Sequence, residues 1–494
     1  MGKKKNKNKV SGAVKTAAKT EKKLANKLKK ELANMGEEDI AKVIAEIERE
    51  EAKRSAASEK LLPGPPSARA YVTLTPHPYN NELIMFGGEY HDGQKTYVYN
   101  DLLYYNPANN SWKQVKAPGA PPPRSAHQAV ATQANKGELW IFGGEFTSPS
   151  ETQFHHYKDL WCFSLAEKKW EKVVAPGGPS ARSGHRMVLL GRRLLVFGGY
   201  HDDGRACRYH DDLHAFCLDS RTWSRITPSG RGPSPRSACL MFPSGGDTVL
   251  IYGGFSRHRD GKVERACTHT DLFRLTLREG GAAWRGAGAG GAGAPPARAS
   301  QGGAAAGCRG YVFGGVCDVE ETEEELRGEM SNDLRMLDLE TCKWYSVGVK
   351  EGAQQVDKIH VLLEELYNRF SFIVSAAVVT DSVFTMKLGA APAPAATLAA
   401  PAPAAAPCSP APAPRMSAAV AVHRSVLYVY GGLLENDDKQ FYLSDMYSLD
   451  LHKQNGWKTL IEQPSLPAWL GSDSEYGSTD SEGSSGSDSE SGDD

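Results

Sequence analysis

Short apolar runs separated by clusters of Gly, Asp and Ser recur along most of this chain, and their clearest form lies between Arg182 and Ile226. The turn Arg182-Ser183-Gly184-His185 leads into Met187-Val188-Leu189-Leu190, and then into Leu194-Leu195-Val196-Phe197, closed by Gly198-Gly199. A polar loop follows, then Asp212-Leu213-His214-Ala215-Phe216, and the unit ends on Thr222-Trp223-Ser224-Arg225-Ile226. Such short β-forming runs bounded by turn residues predict a four-stranded antiparallel meander. A helical period occurs near the start, where Ile40, Val43, Ile44 and Ile47 follow Glu37, Glu38 and Asp39. Spacing of i, i+3, i+4 and i+7 behind an acidic first turn predicts one amphipathic helix. Its apolar stripe docks on the neighbouring sheets or on a partner; the pattern does not choose.

The meander repeats. Gly pairs stand at 87/88, 143/144, 198/199, 253/254, 314/315 and 431/432, each followed by an Asp (101, 159, 212, 271, 333, 445) and a Trp (112, 170, 223, 284, 344, 457). From Asp to Trp the separations are 11, 11, 11, 13, 11 and 12 residues, and successive pairs lie 56, 55, 55, 61 and 117 apart, the last being two periods. A fixed period of this length signals an array of one supersecondary unit. Paired glycines suit a close backbone approach at the end of the second strand, and the Trp supplies apolar surface for the next sheet. One such sheet cannot bury both faces; six arranged radially can, with only short edges left. The fold class expected is therefore all-β, a six-bladed propeller. Each blade runs from inner to outer strand, so the ring closes by blade one packing on blade six, without a strand exchanged between the ends. Gly and Ala dilute residues 280–306, which makes the outer strand of blade four and the inner strand of blade five the weakest part.

The order of apolar run, Gly-Gly, Asp-Leu and Trp resembles the kelch repeat over about residues 65–462. Gly87-Gly88-Glu89-Tyr90, Gln94-Lys95-Thr96-Tyr97, Gly143-Gly144-Glu145-Phe146 and His156-Tyr157-Lys158-Asp159-Leu160-Trp161 look like the kelch domain-containing protein 4 family and its fungal and plant relatives. Ser183-Gly184-His185-Arg186-Met187 and Gly314-Gly315-Val316-Cys317-Asp318 before an acidic run do too. This resemblance implies a six-bladed kelch β-propeller acting as an interaction scaffold, with no assigned reaction.

Net charge is −1, but the charges are segregated. Residues 1–30 carry twelve lysines and one acid, among them Lys3, Lys4, Lys5, Lys7 and Lys9, whereas the last 24 residues carry eight acids and no Lys or Arg. The basic arm suits RNA phosphates or a nuclear-import receptor, or is a solvated tail; it has no Arg or aromatic side chain to stack on bases. In the acidic tail Ser472, Thr479, Ser485, Ser487 and Ser491 each have an acid three residues on. They are candidate phosphosites resembling those of acidophilic kinases. Nine scattered cysteines without a C-x-x-C argue for reduced thiols, hence cytoplasm or nucleus. We expect no signal peptide, no myristoylation (position 6 is Asn) and no membrane span. The segments read as a basic, partly helical extension (1–60), blades one to five (65–347), an insert (348–413), blade six (414–462) and an acidic Ser-rich tail (463–494). Within the insert, Val356 to Phe384 has a helix-like then strand-like pattern, and Lys387 to Pro414 is Ala/Pro low complexity.

A catalytic reading finds little. Ser-x-Asp-x-Gly-x-x-Trp, the Asp-box of sialidase-type rings, does not occur. Neither a galactose-oxidase-like Tyr/His copper set nor the Glu-x3-Asp-x3-His iron spacing of plant specifier proteins is found after a Gly pair. His155 and His156 are adjacent and diverge on a strand, and His127 and His185 hold equivalent repeat positions, which favours a structural role. We expect no metal, no cofactor and no reaction.

In kelch rings the loops entering the inner strands and leaving the Gly pairs open on one face. Here the entry loops hold Arg69, Arg124, Arg182, Arg236, Arg298 and Arg415, and the exit loops Glu89/Tyr90, Glu145/Phe146, Tyr200/His201 and Phe255. Two readings of the arginines stand: a ring of forks for a carboxylate-bearing or phosphorylated peptide, or ties to neighbouring blades. The aromatics of blades one to three are read as exposed contacts, and since blade five offers Val316 and Cys317 and blade six Leu433 and Leu434, binding is expected in the N-terminal half. The leading expectation is a monomeric, non-enzymatic protein-binding scaffold. The alternatives are an RNA- or ribosome-associated factor using the Lys-rich arm, and a ubiquitin-ligase substrate receptor.

Overall fold

The computed structural model describes residues 39–349 and 411–464, apart from 205, 261–262, 289, 292, 321–325 and 437–438. Within them the chain is a six-bladed β-propeller with one helix before it. Blade three shows the register shared by the ring: Arg186–Leu190 is innermost, followed outward by Arg193–Phe197, Leu213–Cys217 and Thr222–Ile226, all antiparallel. These are the four runs read from the sequence. The middle strands are apolar on both sides because each blade is covered by two neighbours; Leu194, Leu195, Val196 and Phe197 are fully buried.

Innermost strands touch all the way round, and Thr73–Pro76 of blade one meets Ala419–His423 of blade six. There Leu74, Met85, Tyr105 and Trp112 form one core with Ala421, Tyr430 and Met446. Blade six takes all its strands from Ala419 to Ile461, so the ring closes by packing, as expected. Blade one differs in carrying a fifth, outermost strand, Ser58–Leu61, paired with Ser111–Lys116. Its Ser-Glu-Lys-Leu sequence is wholly exposed and gave no hydrophobic signal.

Beyond each Gly pair, the segment read as a polar loop is a second hairpin that continues the two middle strands above the ring. Glu89–His91 pairs with Thr96–Val98, Glu145–Thr147 with Phe154–His156, and Tyr200–Asp202 with Cys207–Tyr209. Blade four repeats this with Phe255–Asp260 and Val263–Thr268, and blade five with Val316–Glu320 and Leu326–Met330; in blade six the strands Val426–Asn436 and Lys439–Asp450 run straight through.

The Gly pair is required where blades meet. Gly143 has φ +64°, and a Cβ there would lie 2.7 Å from the His185 ring and 2.8 Å from the Arg182 carbonyl oxygen of the next blade. Gly144 then donates its N–H to that oxygen at 2.9 Å. The same second-glycine bond joins Gly88 to Arg124, Gly199 to Arg236, Gly315 to Arg415 and, across the closure, Gly432 to Arg69. Inside it runs a ring of left-handed residues, one per blade: Tyr71, Ala126, Gly184, Ala238, Ser300 and Ser417. Ala126 N–H donates to Tyr71, Gly184 to Ala126, Ala238 to Gly184, Ser417 to Ser300, and Tyr71 to Ser417, at 2.8–3.4 Å. Among the described residues both circuits lack one bond, and at the same joint: Gly254 to Arg298 and Ser300 to Ala238, between blades four and five. Of the two strands that Gly and Ala dilution marked, the inner strand of blade five adjoins these missing bonds, whereas the outer strand of blade four, Gly281–Ala287, is paired along all its seven residues. The gap is not a void, however. Side chains on Gly302 and Gly303 would strike Val420 on one side and Leu240 on the other.

The helix spans Ile40–Ala52, capped by the Asp39 carboxylate on Ala41 N–H at 3.0 Å. It docks on the propeller: Ile44 is buried against Phe146 and Tyr157, flanked by Ile40, Val43 and Val98. A Glu48–Lys172 pair at 3.1 Å adds to this contact.

Candidate functional site

Each entry-loop arginine is a strut within its own blade. Arg124 donates to the Gly143 carbonyl at 3.0 Å and to both oxygens of Asp159, at 2.8 and 3.3 Å, with its guanidinium over the Tyr157 ring. Arg182 does the same with Gly198 and Asp212, Arg236 with Gly253 and Asp271, and Arg415 with Gly431 and Asp445. Arg69 reaches Gly87 and, at 3.4 Å, Asp101; Arg298 pairs with Asp333. The partner-binding assignment of Arg69, Arg124, Arg182 and Arg236 is therefore corrected: all four are buried to 2% exposure or less, and their forks are filled by the repeat's own aspartate and glycine carbonyl. Burial works against ionisation of Asp159 and Asp212, but the arginine charge and its hydrogen bonds prevail and hold both carboxyls below the usual range. The tie is to the arginine's own blade, whereas a neighbouring blade was expected.

His127 and His185 are buried wedges. His185 packs edge-on against Phe142 at 5.2 Å, and His127 contacts Phe86 in the same way while its Nε2 lies 3.0 Å from Thr73 Oγ1. Burial, with the neighbouring arginine, pushes His127 down to about 3, so its ring is neutral.

The channel enclosed by the inner strands has a volume of about 1210 Å³. At its hairpin end, chemistry comes from the first residue after each Gly pair, which bridges back to the residue after the blade's arginine, as Glu145 does to Ser125 and Tyr200 to Ser183. In blades one and two that first residue is a glutamate. Glu89 accepts from Ser125 Oγ of the next blade at 2.7 Å and from Tyr442 Oη of blade six at 3.4 Å. Glu145 accepts from Ser183 Oγ at 3.1 Å and from Tyr200 Oη at 3.1 Å, both from blade three. Burial raises both carboxyls to about 7; Glu151 adds to the effect at Glu89, as Glu89 and Asp202 do at Glu145, while the hydroxyl donors oppose it. Neither glutamate has a Lys or Arg within 4 Å among the described residues. The one basic side chain within 4 Å of Glu145 among the described residues is His156, whose Nδ1 lies at 3.5 Å. That histidine is neutral, burial and His201 having lowered it to about 4.

A family model, the KLHDC2/KLHL20/DRC7 Kelch-repeats domain, matches residues 72–315. The repeats are kelch repeats. Among curated proteins, the flagellar outer-arm dynein alpha chain of Chlamydomonas reinhardtii is 30% identical over 205 residues, 39% of this chain and 4% of its own. Acyl-CoA-binding domain-containing protein 5 of Arabidopsis thaliana is 31% identical over 179 residues, 36% of this chain and 26% of its own. Kelch domain-containing protein 3 of Homo sapiens is 27% identical over 184 residues, 35% and 45% respectively. The chain thus spans less than half the length of each of these relatives. The solved structure of YjhT shares the fold, with a TM-score of 0.50 and 14% identity over 81% of this chain and 99% of that one.

On this kelch propeller the exit-loop aromatics divide. Phe146 is buried under the helix, which removes it as a free contact. Tyr200 turns inward to Glu145, so it is a wall of the channel. Tyr90 is half-buried, stacked with Tyr97 and edge-on to Tyr442. His201 packs against His156, and Phe255 lies between Tyr209 and Arg257. The most exposed aromatics at this face are Tyr97 and Phe154, at 45% and 49%, on the outer arms of the hairpins of blades one and two. Sequence reasoning missed both because it took those arms for loop. Lys3, Lys4, Lys5, Lys7 and Lys9, the five candidate phosphosites and the insert from 350 to 410 lie outside the described residues.

Proposed function

We propose that this kelch propeller is a non-enzymatic adaptor that grips a protein partner at the hairpin end of its channel, on the side of blades one to three. The observation that carries this reading is the asymmetry of the mouth. Uncompensated acids and tyrosines line blades one to three, and Tyr97 and Phe154 stand exposed on the raised hairpins. Aromatic anchors beside a concave polar site are the composition of interface cores. Kelch repeats support the coarse reading, and the Gly-Gly-Glu motifs support the resemblance to the kelch domain-containing protein 4 family. The eight described cysteines form no disulfide, which favours cytoplasm or nucleus.

The test is affinity capture from cells with the full chain, with Tyr97→Ala/Phe154→Ala, and with residues 1–30 deleted. Loss of the same proteins from the aromatic variant, with retention in the deletion, supports the adaptor. Retention in the aromatic variant, with nuclease-sensitive loss in the deletion, would replace it with the RNA-associated reading.

A further inference from the structure

We propose that Glu89 and Glu145 form a receptor for one cationic side chain, lysine or arginine, which a protein partner inserts into the channel mouth. The proposal rests on the adaptor reading and names the chemistry recognised there.

The argument starts from charge balance. Every repeat pairs one buried or nearly buried arginine with one aspartate, whose exposure runs from 3% at Asp445 to 45% at Asp271, and in each of the six pairs the charges neutralise one another within the blade. Glu89 and Glu145 stand outside that scheme. They occupy equivalent positions in adjacent blades, line the channel, and have only hydroxyl donors. Channel-lining Arg186 does not compensate them; its guanidinium is directed to the carbonyls of His185 and Cys239.

A second observation comes from His156, which is 5% exposed. Its Nε2 accepts the Asp202 N–H at 3.1 Å, so the proton of the neutral ring sits on Nδ1. That Nδ1 has no hydrogen-bond partner among the described residues and is aimed at Glu145 Oε2 from 3.5 Å. The carboxylate is therefore oriented by the hydroxyls of Ser183 and Tyr200 and faced, without a hydrogen bond, by a neutral ring N–H, so nothing around it neutralises its charge.

The occupant that fits is a monovalent cation on an apolar stem. No group of three His, Cys, Asp or Glu among the described residues is arranged to hold a metal ion. A lysine or arginine stem passes along Val72, Ala126 and Gly184, which line the same channel. The tyrosine hydroxyls of Tyr200 and Tyr442 remain as rim acceptors once the glutamates ionise, so both ammonium and guanidinium are met by oxygen on more than one side. Coulomb attraction to two carboxylates at a half-buried site exceeds that of an exposed surface pair.

The probes are pentapeptides capped at both ends, with a central lysine, arginine or norleucine between glycines, titrated calorimetrically into the full chain at pH 8. The expected result is at least about tenfold tighter binding of the lysine or arginine peptide than of the norleucine peptide, a preference of about 1.4 kcal/mol. Glu89→Gln/Glu145→Gln should abolish this preference, while Tyr97→Ala/Phe154→Ala should retain it. Equal binding of the cationic and norleucine peptides, or a preference that survives the double glutamine variant, would overturn the proposal. So would carbodiimide coupling of Glu89 or Glu145 to the chain's own lysines in residues 1–30 of the isolated protein. If the double glutamine variant captures the same cellular partners that the aromatic variant loses, the cation receptor fails while the adaptor stands. If neither variant alters capture, both fail.

Discussion

Replacing either channel glutamate by glutamine should stabilise the protein at alkaline pH and leave it nearly unchanged at acid pH. A carboxyl whose ordinary value is 4.5 and which titrates at about 7 in the folded state holds its proton in the fold after the unfolded chain has lost it. Between these values the native state binds more protons, so the stability contributed by the group is complete below 4.5 and is lost as pH rises through 7. At 1.36 kcal/mol per pH unit, the interval corresponds to about 3 kcal/mol against the ionised form. Channel water screens part of this, and about 1–2 kcal/mol per glutamate is the expected net effect. The gains should not add fully, because the charge on Glu89 is one reason Glu145 is raised. Tyr71, Tyr200 and Tyr442 beside the pair are pushed up by burial, and the contribution of His156, lowered to about 4 in the fold, is common to wild type and variant and cancels in their difference. Urea unfolding of the wild type, Glu89→Gln and Glu145→Gln at pH 5, 6, 7 and 8 reads the difference directly. A variant-minus-wild-type difference that is flat with pH, or that grows toward pH 5, would refute the reasoning.

The arginine struts should differ with their burial. Asp445→Ala strands Arg415 where both partners are nearly inaccessible and should cost about 3 kcal/mol or more by urea unfolding, whereas Asp101→Ala, with Asp101 29% exposed and 3.4 Å from Arg69, should cost about 1 kcal/mol. Backbone amide exchange should find the joint between blades four and five: Ser300, without the ring bond, should exchange at least about tenfold faster than Ala126 or Gly184, and equal protection would disprove the gap. Ile44→Asp should release the helix Ile40–Ala52, seen as new proteolytic cuts between residues 39 and 57, with the propeller's own unfolding transition preserved; continued protection would show that the helix is held by more than its apolar contact.

The ring was legible because its signals are redundant. Leu194 to Phe197 and Gly198-Gly199 recur in kind at every blade, so one blurred repeat, such as the Gly-Gly-Ala-Ala-Ala of Gly302–Ala306, is still placed by its neighbours. The hairpins above the ring were not legible. Strands of three residues such as Tyr200–Asp202 show no alternation to detect, and they form because the two middle strands simply continue past the glycines. Ser58–Leu61 was missed for a similar reason: a fully exposed edge strand has no buried face to mark it. The arginines stand out in the sequence, and the signal that decides between their two roles lies in their spacing to the aspartates. Arginine and aspartate recur with equal numbers and with separations of 30 to 35 residues, which is what internal pairing requires.

The same regularity supports the site proposed above. A position filled identically in every repeat answers a demand that every blade makes, such as closing a strand, strutting a loop or packing the next sheet. A site for one partner breaks the six-fold symmetry, so it falls where repeats disagree. After the Gly pairs the chain reads Glu89, Glu145, Tyr200, Phe255, Val316 and Leu433. The last is buried, and the first two carry charge that no strut balances. The six arginine–aspartate pairs cancel within the blades, and Glu89 and Glu145 are left as fixed negative charges, or as the protons they retain, at the open end of the channel. In the proposed complex a cation arriving there takes the place of those protons. The same two residues therefore lower the stability of the free protein above neutral pH and create the affinity that a partner would use.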